Sequence, residues 1–182
     1  MTTNVRGYGS LPAQGRRIVL LIATFASTAL LSAPARADDA AMVTYKSLTP
    51  EVALAAAQAA MKTCRDNGYQ ISVAVVDRFG LPQVLLRDRY AGLPANDTAT
   101  RKAYTALSFR ASTADLAKSI RDGQLDPGLA RLPHVAMLGG GLAIESGGTL
   151  LGGIGVSGAP GGDKDEACAK AGLDAIRDSL DF

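Results

Sequence analysis

The run Leu150-Leu151-Gly152-Gly153-Ile154-Gly155-Val156-Ser157-Gly158-Ala159-Pro160-Gly161-Gly162-Asp163-Lys164-Asp165-Glu166 constrains the fold more than any other stretch of the chain. An apolar, strand-like segment dissolves into glycines, and an acidic cluster then opens what reads as the final helix. Glycine at this density keeps backbone close to something, a neighbouring chain or a ligand, because a Cβ would collide or forbid the required φ. The loop that follows carries backbone N–H groups able to receive an anion such as a carboxylate. Gly153-x-Gly155-x-x-Gly158 is a formal dinucleotide fingerprint, but that fingerprint works only when a helix and a second parallel strand follow it. The sequence beyond it offers one helix and no such strand. The phosphate-loop pattern fails as well, since Lys164 is followed by Asp165 and not by Ser or Thr. No nucleotide site is expected.

The front of the chain has the layout of an export signal. Arg16-Arg17 precede an apolar run over residues 18–31, and Pro34 precedes Ala35-Arg36-Ala37, which together give the basic head, short apolar middle and small-residue exit of a cleaved leader. The apolar run is shorter than the roughly 20 residues that span a bilayer. Cleavage is expected after Ala37, placing the protein in the periplasm or outside the cell. The paired arginines permit the twin-arginine route as well as the general one. The segment holds four arginines (Arg6, Arg16, Arg17, Arg36) and no acids, so 15 of the 19 basic residues remain beside 17 acidic ones, a formal charge of −2. That balance points to neither nucleic acid nor a membrane surface as partner.

Residues 38–47 read as a polar lead-in, and residues 48–182 as a single domain. Thr49-Pro50-Glu51 announces a helix to about Asn67, with Val52, Leu54, Ala55, Ala59, Met61 and Cys64 available to its buried side and Asn67-Gly68 as its stop. Residues 71–77 and 81–86 form a hairpin about Gly80, with Asp77 placed to bind the turn amides. A helix over 97–110, started by Asp97 or Thr98, turns Ala99, Ala103, Ala106 and Leu107 inward and puts Lys102 and Thr105 on one face. Ser112-Thr113-Ala114-Asp115 opens a short helix to about Arg121, and a loop follows to Pro133. Short strands over 135–138, 142–145 and 149–156 then lead into a helix over 163–180, whose first turn is acidic as the helix dipole favours. The whole is an α+β domain, one antiparallel sheet with helices packed against it. Cys64 and Cys168 fall on the first and last helices; a disulfide and two ordinary buried apolar positions both fit them.

Five blocks taken together, Val73-Ala74-Val75-Val76-Asp77-x-x-Gly80, Arg101-Lys102-Ala103-Tyr104-Thr105-Ala106, Gly139-Gly140-Gly141-Leu142-x-Ile144, Gly153-Ile154-Gly155-Val156-Ser157-Gly158 and Asp165-Glu166-x-Cys168-Ala169, resemble the GlcG/HbpS-like family, also called the haem-degrading domain. They occur in the family's order and span about residues 48–180. The resemblance implies an α+β fold assembled into homo-oligomers, with members that bind haem outside the cell and some that degrade it with peroxide. Other members are known only by their neighbourhood to glycolate or diol metabolism. Because the matched blocks tend to meet in space, Asp77, Lys102, Thr105, Gly155, Ser157, Gly158 and Asp165 are the expected ligand-binding set. A lysine on a helix is either a solvated or a buried, anion-binding group, and a buried Lys102 would take Asp77 or Asp165 as partner.

His134, the only histidine, is the first candidate for a haem-iron ligand, expected where the chain enters a buried strand; Tyr104, Tyr90 and Met137 are lesser ones. The functional expectation is an exported haem-binding protein, a carrier or sensor accessory with slow haem degradation. The alternative is a binding protein or enzyme for a small carboxylate that uses Asp77, Lys102 and the glycine loop. A third reading is an oligomer whose glycine strands serve subunit contact alone.

Overall fold

The computed structural model describes residues 42–180, and the proposed leader over residues 1–37 lies outside them. The chain divides after Val43, leaving residues 44–182 as the domain. Part of the expected lead-in belongs to that domain: Tyr45 meets Phe79 edge to face at 5.5 Å, and Arg78 lies over the Tyr45 ring at 4.7 Å.

Helix α1 runs Pro50–Asp66, with the Thr49 side chain accepting from the Val52 N–H and Asn67 closing the last turn. Its buried stripe is Ala53, Ala56, Ala57, Ala60, Met61 and Cys64, whereas Leu54 and Ala55 face outward. The expected face was therefore rotated: the small residues go inward because a second helix lies almost in contact with α1. That helix, α4 (Gly162–Ile176), presents Gly172, where a Cβ would stand 2.7 Å from the Ala56 carbonyl oxygen. Cys64 and Cys168 are joined in a disulfide across this seam, their Cα atoms 5.6 Å apart, which decides between the two readings of these cysteines.

Strands β1 (Ser72–Asp77), β2 (Pro82–Arg87), β3 (Gly141–Ser146) and β4 (Thr149–Ser157) make one antiparallel sheet in the order β2-β1-β4-β3. Val73, Val75, Ile154 and Val156 join the core formed with α1 and α4, while Val76 packs with Ala103 and Leu107 of helix α2 (Ala95–Phe109) on the opposite face. Helix α2 starts after Pro94 without a side-chain cap, two residues before Asp97. Helix α3 (Thr113–Arg121) has the expected Ser112 cap.

The glycine run is explained by α2. A Cβ on Gly155 would stand 2.0 Å from the Ala99 carbonyl oxygen, one on Gly153 2.5 Å from that of Ala103, and one on Gly141 2.4 Å from that of Lys102. Three glycines on two adjacent strands thus form a flat bed on which the helix backbone lies directly.

Residues 135–138 are not a strand. The Val135 carbonyl accepts from an Arg101 guanidinium nitrogen at 2.9 Å, and the Ala136 N–H donates to Thr105 Oγ1 at 2.8 Å. Side chains of α2 thereby satisfy backbone groups that a neighbouring strand would otherwise have to pair.

Candidate functional site

Three elements converge on Lys102. Its α2 position points it between β4 and α4, where Nζ donates to the Val156 carbonyl at 2.9 Å and to Asp165 Oδ2 at 2.7 Å. Both side chains are almost fully buried, at 3% and 5% exposure. The other Asp165 oxygen accepts from the Ala159 N–H at 3.0 Å, so one carboxylate fastens the end of β4 to the first turn of α4. Burial pushes the Asp165 carboxyl above its usual range, and the Lys102 ammonium opposes that push. Gly140, at φ +116, closes over the pair; a Cβ there would meet Asp165 Cβ at 2.6 Å and Lys102 Nζ at 3.1 Å.

Beside this pair, Glu166 lines a groove of about 560 Å³ with Gly139, Gly162, Arg121 and Lys170. Its Oε2 is buried without a hydrogen-bond partner among the described residues. Burial raises the Glu166 carboxyl, the Gly140 N–H lowers it, and the charge of Asp115 raises it further.

The expected ligand set does not assemble into one pocket. Lys102 and Asp165 form the internal pair just described. Gly155 lies inside β4, paired with Ala74 on one side and Gly141 on the other, so its backbone belongs to the sheet. Ser157 is buried at the end of β4 opposite Ser72, and Gly158, at φ +130, turns the chain out of the strand. Thr105 is fully buried, donating to the Arg101 carbonyl at 2.7 Å while it holds Ala136. Asp77 sits at the other end of β1, opposite Gly152, accepting from Phe79 N at 2.8 Å and Leu81 N at 2.9 Å. Five residue-to-residue steps along β1 separate it from the Ser72–Ser157 level, roughly 16 Å at the usual rise per residue.

His134 does not enter a strand. It is exposed, with the left-handed φ of +64°, and its ring lies edge-on to Tyr104 with centroids 6.1 Å apart. Tyr104 itself lies against Gly80, where a Cβ would stand 2.8 Å from the ring, and lines a groove with Arg78, Phe79 and Arg110. Met137 is half-buried in the neighbouring segment, and Tyr90 is 78% exposed. Two residues of consequence were passed over at the sequence level, Arg101 and Glu166. Each adjoins a chosen residue inside a matched block, Lys102 and Asp165 respectively, and that adjacency was the available signal.

A family model described as haem degrading protein HbpS-like matches residues 48–174. Among solved structures, a double mutant of Streptomyces reticuli HbpS superimposes with a TM-score of 0.72 at 41% identity, over 79% of this chain and 97% of that one. A PduOC:heme complex gives a TM-score of 0.67 at 28% identity, over 71% and 95%. The corrinoid adenosyltransferases PduO of Citrobacter freundii and Salmonella typhimurium are 31% identical over 103 residues, 56% of this chain. The match takes in only 31% of the length of those relatives. With the sheet order, the buried α2 block and the glycine bed inside the matched span, the chain belongs to the HbpS-like family.

Proposed function

We propose that the protein binds haem through the surface that carries His134 and Tyr104. The observation that carries this reading is an exposed imidazole, the only one in the chain, held at φ +64° against a phenol ring. Both groups are established axial ligand types for haem iron, so the donor set fits the cofactor. Phe79 offers apolar contact to a porphyrin beside Tyr104, and Arg78 and Arg110 offer cations to its propionates. Bound haem supplies an iron that changes oxidation state; the chain's part is to ligate it, orient it and cover one face. The haem complex of a relative supports haem as the ligand. The family match supports a role as carrier or sensor accessory, with slow degradation of the haem.

Export fits this role, and the Cys64–Cys168 disulfide supports it, because such bonds persist in oxidising compartments. Homo-oligomerisation fits it too: Phe79, Leu81 and Leu85 are exposed along the β1–β2 hairpin, an edge of the sheet.

Titrating the folded protein with haem in the visible range tests the reading. Saturable binding should appear, His134→Ala should move the Soret band, and Tyr104→Phe should alter it if the phenol takes part. A titration with no saturable spectral change would remove haem from the account.

A further inference from the structure

Arg101 is tied down through both terminal nitrogens, yet its side chain stays 39% exposed. One terminal nitrogen donates to the Val135 carbonyl at 2.9 Å, the other stands 3.5 Å from Asp97 Oδ2, and Nε is buried with no acceptor among the described residues. A buried charged donor without an acceptor is rare enough in folded proteins to require a cause. Arg101 lines a groove of about 310 Å³, whose other walls include Thr98, Ala130, Ala136, Met137 and Leu138.

We propose that this groove is a subsite for a carboxylate carried on an apolar body. Guanidinium is the group best matched to a carboxylate, and its bond to the Val135 carbonyl fixes the plane in which that match is made. Thr98 does not compete as a donor, since its hydroxyl already donates to the Pro94 carbonyl at 2.9 Å. Met137 and Leu138 would lie against an apolar body, a surface poorly suited to a phosphate, whose charged oxygens all need polar partners. Two sources share this chemistry. One is a haem propionate, reached from His134, which directly precedes Val135 in the chain; in that form the inference rests on the haem reading above. The other is a free aliphatic monocarboxylate, and that form does not depend on haem.

The test follows hexanoate binding by protein-observed NMR, with hexanol as the uncharged control, and haem binding by visible titration beside the dimethyl ester of haem. Either hexanoate or haem should bind the protein about ten- to a hundredfold more weakly after Arg101→Gln, the loss expected for one charge-assisted contact. Ala130→Leu should weaken the same ligand by narrowing the groove; Ala130 is exposed on a short 3-10 turn, so this variant keeps the fold even if Arg101→Gln does not. If the source is haem, the ester, which lacks both propionate charges, should bind the unaltered protein at least as weakly as haem binds Arg101→Gln, and Arg101→Gln should weaken the ester no further. If the source is free carboxylate, hexanoate should shift resonances of residues 135–138 and hexanol should not. Haem that fails to bind while hexanoate succeeds would sink the haem reading and leave the subsite standing. Haem that binds Arg101→Gln and Ala130→Leu normally, with no response to hexanoate, would overturn the subsite and leave the haem reading standing.

Discussion

At the scale of single residues, the Lys102–Asp165 pair is worth more as a fastener than as a ligand site, since three elements meet on it and neither charge reaches solvent. Removing one partner of a buried pair leaves the other charge uncompensated, which costs about 3–5 kcal/mol, whereas replacing both by apolar groups can be nearly neutral. Lys102→Met should therefore lower unfolding stability in guanidinium by about that amount, and adding Asp165→Leu should restore most of it; equal losses in the single and double variants would contradict the assignment. Glu166 gives a second prediction. Its folded pKa is raised above the ordinary 4.5, first by burial. A raised pKa means its favourable contribution is fully present below that ordinary value and is lost as pH rises through the folded one. The stability of Glu166→Gln relative to the unaltered protein should thus improve as pH rises above the ordinary value of 4.5, and a difference that stays constant with pH would count against it. The sequence offered Asp165 as one of two partners for a buried Lys102 but left the burial itself open, because that depends on an element 63 residues further along the chain; the position of Glu166 carried no such signal.

At the scale of elements, the glycines and the disulfide each set a distance between two helices and what they pack on. Gly155 is the tightest point of the bed under α2, with the Ala99 carbonyl oxygen 2.0 Å and the Ala103 nitrogen 2.6 Å from where a Cβ would stand. Backbone on both sides cannot yield as a side chain can, so Gly155→Ala should cost about 3 kcal/mol or more, at or beyond the upper end of ordinary overpacking. Gly123→Ala, whose Cβ would meet nothing within 4 Å, should cost only the left-handed φ, about 1–2 kcal/mol. Comparable losses from the two would show that α2 can lift off the sheet. The sequence signalled that backbone comes close at this run; it did not say whether the neighbour was another chain, a ligand or the chain's own helix. Helix ends with a side-chain or glycine signal, such as Thr49, Ser112 and Gly68, were legible, whereas the uncapped start of α2 at Ala95 was not. The 135–138 segment had a strand's composition but was claimed by Arg101 and Thr105, a tertiary choice that local pattern does not encode.

For the molecule as a whole, the α+β layout was legible because strand alternation and helix signals agree along most of the chain. The assembly of the site was not, because the matched blocks lie at opposite ends of the sheet: Asp77 closes one end of β1 and Ser157 lies opposite the other. The proposal of export rests on two features together, an N-terminal signal pattern and a bond between Cys64 and Cys168, 104 residues apart. A cross-link closing so long a loop removes unfolded-state entropy worth about 4.7 kcal/mol in the chain-entropy account, with measured losses of about 2–5 kcal/mol when native disulfides are removed. Cytoplasmic thiols are kept reduced, so under the proposal of export the domain gains the full stability of this bond only outside the cytoplasm. Protein recovered from its native host should accordingly begin at Asp38, be lighter by the two thiol hydrogens than the reduced mature chain, and lose stability by that amount in denaturation with reductant. Intact mass with and without reduction reads the first two, and paired guanidinium curves read the third. A chain that retains Arg16-Arg17 with both cysteines as free thiols would place the working protein in a reducing compartment, and the proposals of export and of extracellular haem capture would fall together.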